Sequence, residues 1–132
     1  KLSNPDDHIV LPETISKEPL GPVVRQGDAV WEDIVRWSLN VMIEAEEYGI
    51  NSSNADSMKT SKNPQIKRLV GAEGELGAAL GLDNDWSLRI IKQVGNYGES
   101  YKRNIADTGI LPTRGPNELW TKGGLLYVPP AR

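Results

Sequence analysis

The chain has 132 residues, of which 25% are charged and 38% hydrophobic, the composition of one globular domain rather than of a disordered or membrane-spanning chain. Fifteen Lys and Arg stand against 18 Asp and Glu, and the net charge of −3 argues against a nucleic-acid-binding surface, which needs a basic excess. The absence of cysteine excludes disulfides and thiolate metal sites, and a single histidine excludes a multi-histidine metal site or a His-dependent triad within the chain.

Two extended segments are predicted at the start of the chain. The stretch "HIVLPETI" (8–15) mixes β-branched residues with a proline, which favours an edge strand or an extended crossing segment. The stretch "PLGPVVRQGD" (19–28) predicts a second strand that ends in a turn at Gly27 and Asp28.

A helix is predicted from Asp28 to about Tyr48. The Asp28 carboxylate can cap its first turn, and Gly49 stands where a left-handed C-terminal cap belongs. The apolar positions cover roughly 200° of the helix, about twice what packing on one sheet requires, so we expect contacts from two sides. One stripe holds Trp31, Ile34, Val35, Leu39, Met42 and Ala45, and its flank holds Trp37, Val41 and Tyr48.

The second half of the chain is predicted to be helical with a coiled tail. After a polar connector, Asn63 and Pro64 predict the N-cap and first position of a short helix, and another short helix is expected in 73–85. The apolar period then predicts one helix from about Asp85 to Ala106, in which Gly95 and Gly98 are explained by close backbone packing. The Gly- and Pro-rich tail should place Trp120 and Tyr127 on the helices, on the flank that holds Trp37.

Residues with catalytic or metal-binding potential are few. Asp6, Asp7 and His8 could be read as a metal site, but neighbouring side chains of an extended segment point in alternating directions, and a polar turn is favoured. Glu44 and Glu47 share one helical edge and could perform acid–base chemistry if burial raised one pKa. A solvated acidic face that also includes Glu46 is favoured over that role.

Arginines near the end of the chain complete the candidates. Arg114 and Arg132 could bind a carboxylate bidentately, as any surface arginine could. No catalytic residue, metal site or cofactor is predicted.

The stretch "KEPLGPVVRQGDAVWEDIVRW" (17–37) resembles the periplasmic amino-acid-binding proteins of ABC importers, in which Glu-Pro-aromatic/Leu-Gly, a short apolar strand, a basic residue and Gly/Asp precede a helix. The segments 4–28, "LGLDNDWSLRIIKQVGNYGESYKRN" (80–104) and "LWTKGGLLYVPP" (119–130) are similar, in the same order, to the general L-amino-acid-binding branch of that family. The resemblance runs through essentially the whole chain but covers only the C-terminal part of such a protein.

The resemblance implies an α/β parent fold of two lobes, the type II periplasmic binding protein, of which this chain would be a mostly helical C-terminal fragment with one or two short strands. Residues 1–15 would hold the last strand region of the second lobe, 22–49 a strand and helix of the first lobe, and 50–132 a helical C-terminal extension with a coiled tail. The hinge crossing between the lobes would be Ser16, Lys17, Glu18, Pro19, Leu20 and Gly21. The ligand-binding residues of the family lie upstream of the matching stretch and cannot be assigned here.

The resemblance also implies a function. The intact protein would bind L-amino acids in the periplasm and deliver them to an ABC permease, without enzymatic activity, and this chain alone would not bind ligand. An exposed apolar face around Leu20, Val23, Val24 and the Trp31 stripe would then favour self-association. The alternatives are a self-sufficient helical protein-interaction module and a small hydrolase that uses Glu44 or Glu47.

Overall fold

The structure, a computed structural model, describes residues 3–9, 11–13, 15–16 and 18–132. Its described part is mostly helical, as expected, with several short 3-10 turns between the α-helices. The α-helices are α1 (Ala29–Glu47), α2 (Pro64–Leu69), α3 (Leu76–Ala79), α4 (Trp86–Val94) and α5 (Tyr97–Asn104).

The ends of α1 and α2 lie where the capping residues predict them. The Asp28 carboxylate accepts the Trp31 N–H at 3.0 Å, and Gly49 follows α1 with a φ of 66°. In α2 the Asn63 side chain accepts the Gln65 N–H at 2.9 Å ahead of Pro64. These contacts satisfy amide groups that have no partner inside the helix, so a few residues fix each boundary.

The single helix predicted over 85–106 is wrong, because the chain breaks between α4 and α5. Gly95 closes α4 with a φ of 91° and a ψ of 178°, which no helix contains. Asn96 then starts α5 with a capping box: its side chain accepts the Glu99 N–H at 2.9 Å, and the Glu99 carboxylate accepts the Asn96 N–H at 2.8 Å. The reciprocal cap stabilises a new helix start and outweighs the continuous apolar period. Gly98 does provide the close approach that was predicted, since a Cβ there would lie 2.9 Å from Glu46 Oε1.

The core lies between the C-terminal half of α1 and the later helices. Helix α1 contacts both α4 and α5. The Ser87 hydroxyl donates to the Leu69 carbonyl, and Asn96 Nδ2 donates to the Ile50 carbonyl at 2.8 Å, so buried polar groups connect α4 to α2 and α5 to the end of α1. The buried apolar cluster consists of Val41, Ala45, Ile50, Ala55, Leu69, Val70, Trp86, Leu88, Ile91 and Ala131.

Contacts on α1 are therefore concentrated toward its C-terminus. On the flanking stripe Val41 is fully buried, and Trp37 and Tyr48 pack against the core. On the first stripe Ala45 is buried, whereas Trp31 is 51% exposed. The prediction of two covered sides is met in the second half of α1 only.

Neither of the two extended segments predicted before α1 pairs as a strand in the described residues. Residues 22–28 and the described part of 8–15 have no strand pairing, and the one ladder contact in the described chain is an isolated parallel bridge between Leu119 and Leu126. A strand needs a neighbouring strand to share its backbone hydrogen bonds, and none of the described residues pairs with these segments in that way. Their apolar side chains are consequently exposed, with Leu20 at 91% and Val23 at 94%. Val24 is half-buried.

No helix among the described residues combines the length and the apolar character that crossing a bilayer requires.

Candidate functional site

The segment assigned to the hinge lies at the surface. Ser16, Glu18, Pro19, Leu20 and Gly21 are exposed, and Lys17 lies outside the described residues. One backbone hydrogen bond, from the Leu20 N–H to the Glu18 carbonyl at 2.7 Å, forms a tight local turn. The hinge role of these residues stays a prediction.

The acidic segment near the start forms the expected polar turn. Pro5–Asp7 is one turn of 3-10 helix, and His8 Nδ1 lies 2.9 Å from the Asn4 carbonyl oxygen. In the part of the chain that the structure describes, no three His, Asp or Glu side chains come together as a metal site would require.

The acidic residues at the end of α1 do not form a solvated face, and that prediction is wrong. Glu44, Glu46 and Glu47 each bind a different donor from the tail, which is residues 106–132. We call this set of contacts the glutamate clamp. It fastens the last part of the chain to the last two turns of α1.

Glu44 is the most deeply buried member of the clamp. Glu44 is 4% exposed, and its Oε2 accepts the Ala131 N–H at 2.9 Å. Burial raises the pKa of Glu44 above the ordinary value, and the nearby charge of Glu47 adds to this, whereas the Ala131 hydrogen bond and Arg132 oppose it. A buried carboxylate is thus tolerated because a backbone amide of the tail hydrogen-bonds it.

Glu46 forms a bidentate ion pair with Arg114. Both guanidinium Nη atoms contact the carboxylate, one of them at 3.2 Å, and the side chains of Arg114 and Glu46 are 13% and 10% exposed. The Arg114 Cζ also lies 5.4 Å and 5.6 Å from the ring centroids of Tyr97 and Tyr101. Burial lowers the pKa of Arg114, but the hydrogen bond and charge of Glu46 outweigh it and leave the pKa above its ordinary value. Arg114 therefore does bind a carboxylate bidentately, but the carboxylate belongs to Glu46 of the same chain and the pair is largely buried.

Glu47 accepts the Trp120 indole N–H at 2.9 Å. The prediction that Trp120 and Tyr127 would lie on the helices is met in part: Trp120 contacts α1 through this hydrogen bond, but the two residues stay 51% and 69% exposed and pack edge to face on each other at 5.6 Å. The tail instead buries Leu119, which is 1% exposed, and Ala131, which is 6% exposed.

The sequence does contain a signal for the clamp. The C-terminal end of a helix carries a partial negative charge, which favours basic side chains there, yet the last turn of α1 has none and holds acidic residues instead. Acidic residues in that position indicate that a donor from elsewhere compensates them. The donors are 68 to 87 positions away in sequence, so their identity could not be read locally.

The clamp leaves no open carboxylate pair for acid–base chemistry. Glu44 is closed off by Ala131, and Glu47 is bound to Trp120. The geometry supports attachment of the tail to α1.

Comparison with known proteins identifies relatives across the whole chain, although no family model matches it. The general L-amino acid-binding periplasmic protein AapJ of Rhizobium johnstonii is 57% identical over 134 residues, which cover 99% of this chain and 39% of AapJ. The glutamate/glutamine/aspartate/asparagine-binding protein BztA of Rhodobacter capsulatus is 54% identical over 133 residues, with 99% and 39% coverage. The chain thus spans about two fifths of the length of these relatives.

A solved structure agrees with these matches. The ABC transporter periplasmic binding protein from Brucella ovis with glutathione bound superposes with a TM-score of 0.91 at 57% sequence identity, over 99% of this chain and 42% of that one. All three relatives are named as binding proteins. In sequence and in fold, the chain corresponds to the C-terminal part of the amino-acid-binding periplasmic proteins of ABC transporters, which are type II periplasmic binding proteins.

Proposed function

We propose that this chain is the C-terminal part of the solute-binding component of an amino-acid ABC importer. In its full length such a protein captures L-amino acids in the periplasm by closure of two lobes and delivers them to the permease, without chemical conversion. The observation that supports this most is the 57% identity to AapJ across 99% of the chain. The chain by itself is proposed to bind no ligand, because the ligand-contacting residues of the family belong to the part that precedes it.

The proposed layout assigns residues 1–15 to the second lobe, 16–21 to the hinge crossing, 22–49 to the first lobe and 50–132 to a helical extension. Its support is the distribution of exposed apolar side chains. Large exposed hydrophobics in the first 31 residues include Ile9, Ile15, Leu20, Val23 and Trp31, whereas the buried residues of α1 all lie from Val41 onward. Extended apolar segments with no neighbour and a half-covered helix are what the lobes of a longer protein would cover.

The ligand class is proposed from the chemistry that the relatives share. AapJ is named for general L-amino acids and BztA for four acidic and amide amino acids, and the Brucella ovis protein holds glutathione. Glutathione carries a γ-glutamyl unit with a free α-ammonium and α-carboxylate, so all these ligands present the same head group. An L-α-amino acid head, with a variable side chain, is the ligand proposed for the full-length protein.

In isolation the chain is proposed to self-associate through the face around Trp31, since that face otherwise stays in water. The alternative is a self-sufficient helical interaction module. It is supported by the buried apolar cluster that residues 29–132 form among themselves. Light scattering and the binding of an apolar dye separate the two. The alternative requires a monomer that binds no dye, whereas self-association requires a larger species.

The function is tested by a chimera in which the corresponding C-terminal part of AapJ is replaced by this chain. Calorimetric titration with L-glutamate, L-glutamine, L-leucine and glutathione is carried out on the chimera, on AapJ and on the chain alone. We expect binding by the chimera and by AapJ and no heat from the chain alone. A folded chimera that binds none of the amino acids would refute the proposed role, and stoichiometric binding by the chain alone would refute the assignment of the ligand site.

A further inference from the structure

The tail is hydrogen-bonded to the helices through their side chains and not through their backbone. In the part of the chain that the structure describes, no backbone–backbone hydrogen bond joins residues 110–132 to the residues before them. The hydrogen bonds that do join them use the three carboxylates of the glutamate clamp and the Tyr101 hydroxyl, which donates to the carbonyls of Leu111 and Thr113 at 3.3 Å. The tail is thus bound to α1 and α5 as a separate molecule would be, at a few specific contacts.

The part of the tail that contacts α1 is folded on itself. In residues 114–126, which we call the tail loop, the Trp120 N–H donates to the Leu126 carbonyl and the Leu125 N–H donates to the Pro116 carbonyl, both at 2.9 Å. The tail loop therefore satisfies these backbone groups internally, without a contribution from α1.

Arg114 is held in its binding geometry by the tail loop itself. Its Nε and Nη2 donate to the Asn117 carbonyl at 3.1 Å and 3.0 Å, and its Nη1 lies 3.2 Å from the Glu118 carboxylate. A guanidinium that is already oriented loses little side-chain entropy when it binds. The tail loop consequently presents a preformed cation to the Glu46 carboxylate of α1.

The segment that connects α5 to the tail loop lies at the surface. Residues 105–113 are exposed except for Ala106, which is half-buried. Gly109 has a φ of 78°, with no atom within 4 Å of where a Cβ would stand. An exposed segment of this kind can change direction without disrupting the packing of the helices or the tail loop.

We propose that the carboxylate end of α1 is a docking site for the tail of a second copy of this chain. Two copies would exchange tails, and each glutamate clamp would be closed by the tail of the other copy with the contacts that the monomer makes within itself. The proposal goes beyond the receptor function and requires nothing from it. It also differs from association through the Trp31 face, because that face takes no part in it.

Concentration decides which form dominates. A tail tethered by a short segment meets its own α1 at an effective concentration of about a millimolar. The wild-type chain should therefore close on itself at lower concentrations. Exchange becomes measurable there once closure within one copy is prevented.

Two charge-reversed variants prevent that closure and test the proposal. Glu46→Arg sets two arginines against each other, and Arg114→Glu sets two glutamates against each other. Neither variant can form the ion pair with its own tail or with the tail of an identical copy. In a tail-exchanged dimer of one variant with the other, each clamp contains one arginine and one glutamate. Both chains also carry Trp31→Ser, which removes the exposed side chain at the centre of the other proposed association.

The two variants are mixed in urea and diluted together to about 0.1 mM, roughly ten-fold below the effective concentration of the tethered tail. Native mass spectrometry identifies the mixed dimer, because the two substitutions change the chain mass in opposite directions. We expect the mixed dimer to exceed either homodimer by about 100-fold, since like charges opposite each other in an interface are strongly unfavourable.

A reversed pair inside one helix provides the matched control. Asp85 and Arg89 form an exposed ion pair within α4, which an exchange of tails cannot separate. Asp85→Arg and Arg89→Glu, in the same Trp31→Ser background and mixed in the same way, should give no mixed dimer.

Two outcomes would overturn the proposal. One is a mixture of Glu46→Arg and Arg114→Glu in which the mixed dimer does not exceed the homodimers. This outcome counts whether or not the single variants fold alone, because the mixed dimer restores the charge pairs that they lack. The other is a mixed dimer that the control pair forms to the same extent.

Discussion

Replacing Arg114 by alanine tests whether charge holds the tail on α1. The substitution leaves the Glu46 carboxylate, 10% exposed, in its place without a counter-charge. It also removes the donors that the Asn117 carbonyl receives from Nε and Nη2 at 3.1 Å and 3.0 Å. The clamp would then retain its contacts through Glu44 and Glu47 only.

The size of the effect follows from the burial of the pair. Removing one partner of a buried ion pair costs about 3–5 kcal/mol. Because the Arg114 and Glu46 side chains keep 13% and 10% of their exposure, we expect a loss near the lower end, about 3 kcal/mol of unfolding free energy. For a chain of this size that corresponds to a fall of roughly 10 °C in the melting temperature.

Urea denaturation of Arg114→Ala beside Arg89→Ala measures this difference. Arg89 pairs with Asp85 at 3.0 Å, but the two side chains are 48% and 50% exposed, so we expect a loss of less than about 1 kcal/mol there. The double variant Arg114→Met with Glu46→Gln removes both charges and should be more stable than Arg114→Met alone. If Arg114→Ala is no worse than Arg89→Ala, or the double variant recovers nothing, the ion pair does not hold the tail.

Four other substitutions have expected outcomes in urea unfolding. Gly95→Ala should destabilise by about 1–3 kcal/mol, because of its φ of 91° and a Cβ 2.8 Å from Glu99, whereas Gly21→Ala, with no atom within 4 Å, should not. Asn96→Ala loses the α5 cap and the buried hydrogen bond to the Ile50 carbonyl and should cost about 2 kcal/mol; a loss under 0.5 kcal/mol contradicts this. The pKa of Glu44 is raised by burial, so its contribution to stability is present below its ordinary pKa of 4.5 and is lost as pH rises through the raised value. The pKa of Glu99 is lowered because hydrogen bonds from Ser52 and Asn96 outweigh burial, so its contribution is present above 4.5 and is lost as pH falls through the lowered value. Glu44→Gln and Glu99→Gln should therefore change the slope of stability against pH in opposite directions, and slopes that change alike would contradict both assignments.

Local signals in the sequence predicted most helix boundaries, and one such signal was overlooked. Asp28 and Asn63 cap helices through contacts two or three residues away, so their neighbours suffice to predict them. The break at Gly95 is equally local, because Asn96 and Glu99 have the spacing of a capping box. The apolar period continues across the break, so periodicity alone predicts one helix where the cap specifies two.

The motifs along the sequence by themselves determined the family and the mostly helical character of the chain, since both depend on local patterns and on their order. Only the tertiary structure decided that Glu44, Glu46 and Glu47 are bound by the tail. The physical reason is sequence distance. A carboxylate on a helix surface has the same local pattern whether water or an arginine 68 residues away binds it, and only the packing of α1 against the tail distinguishes the two.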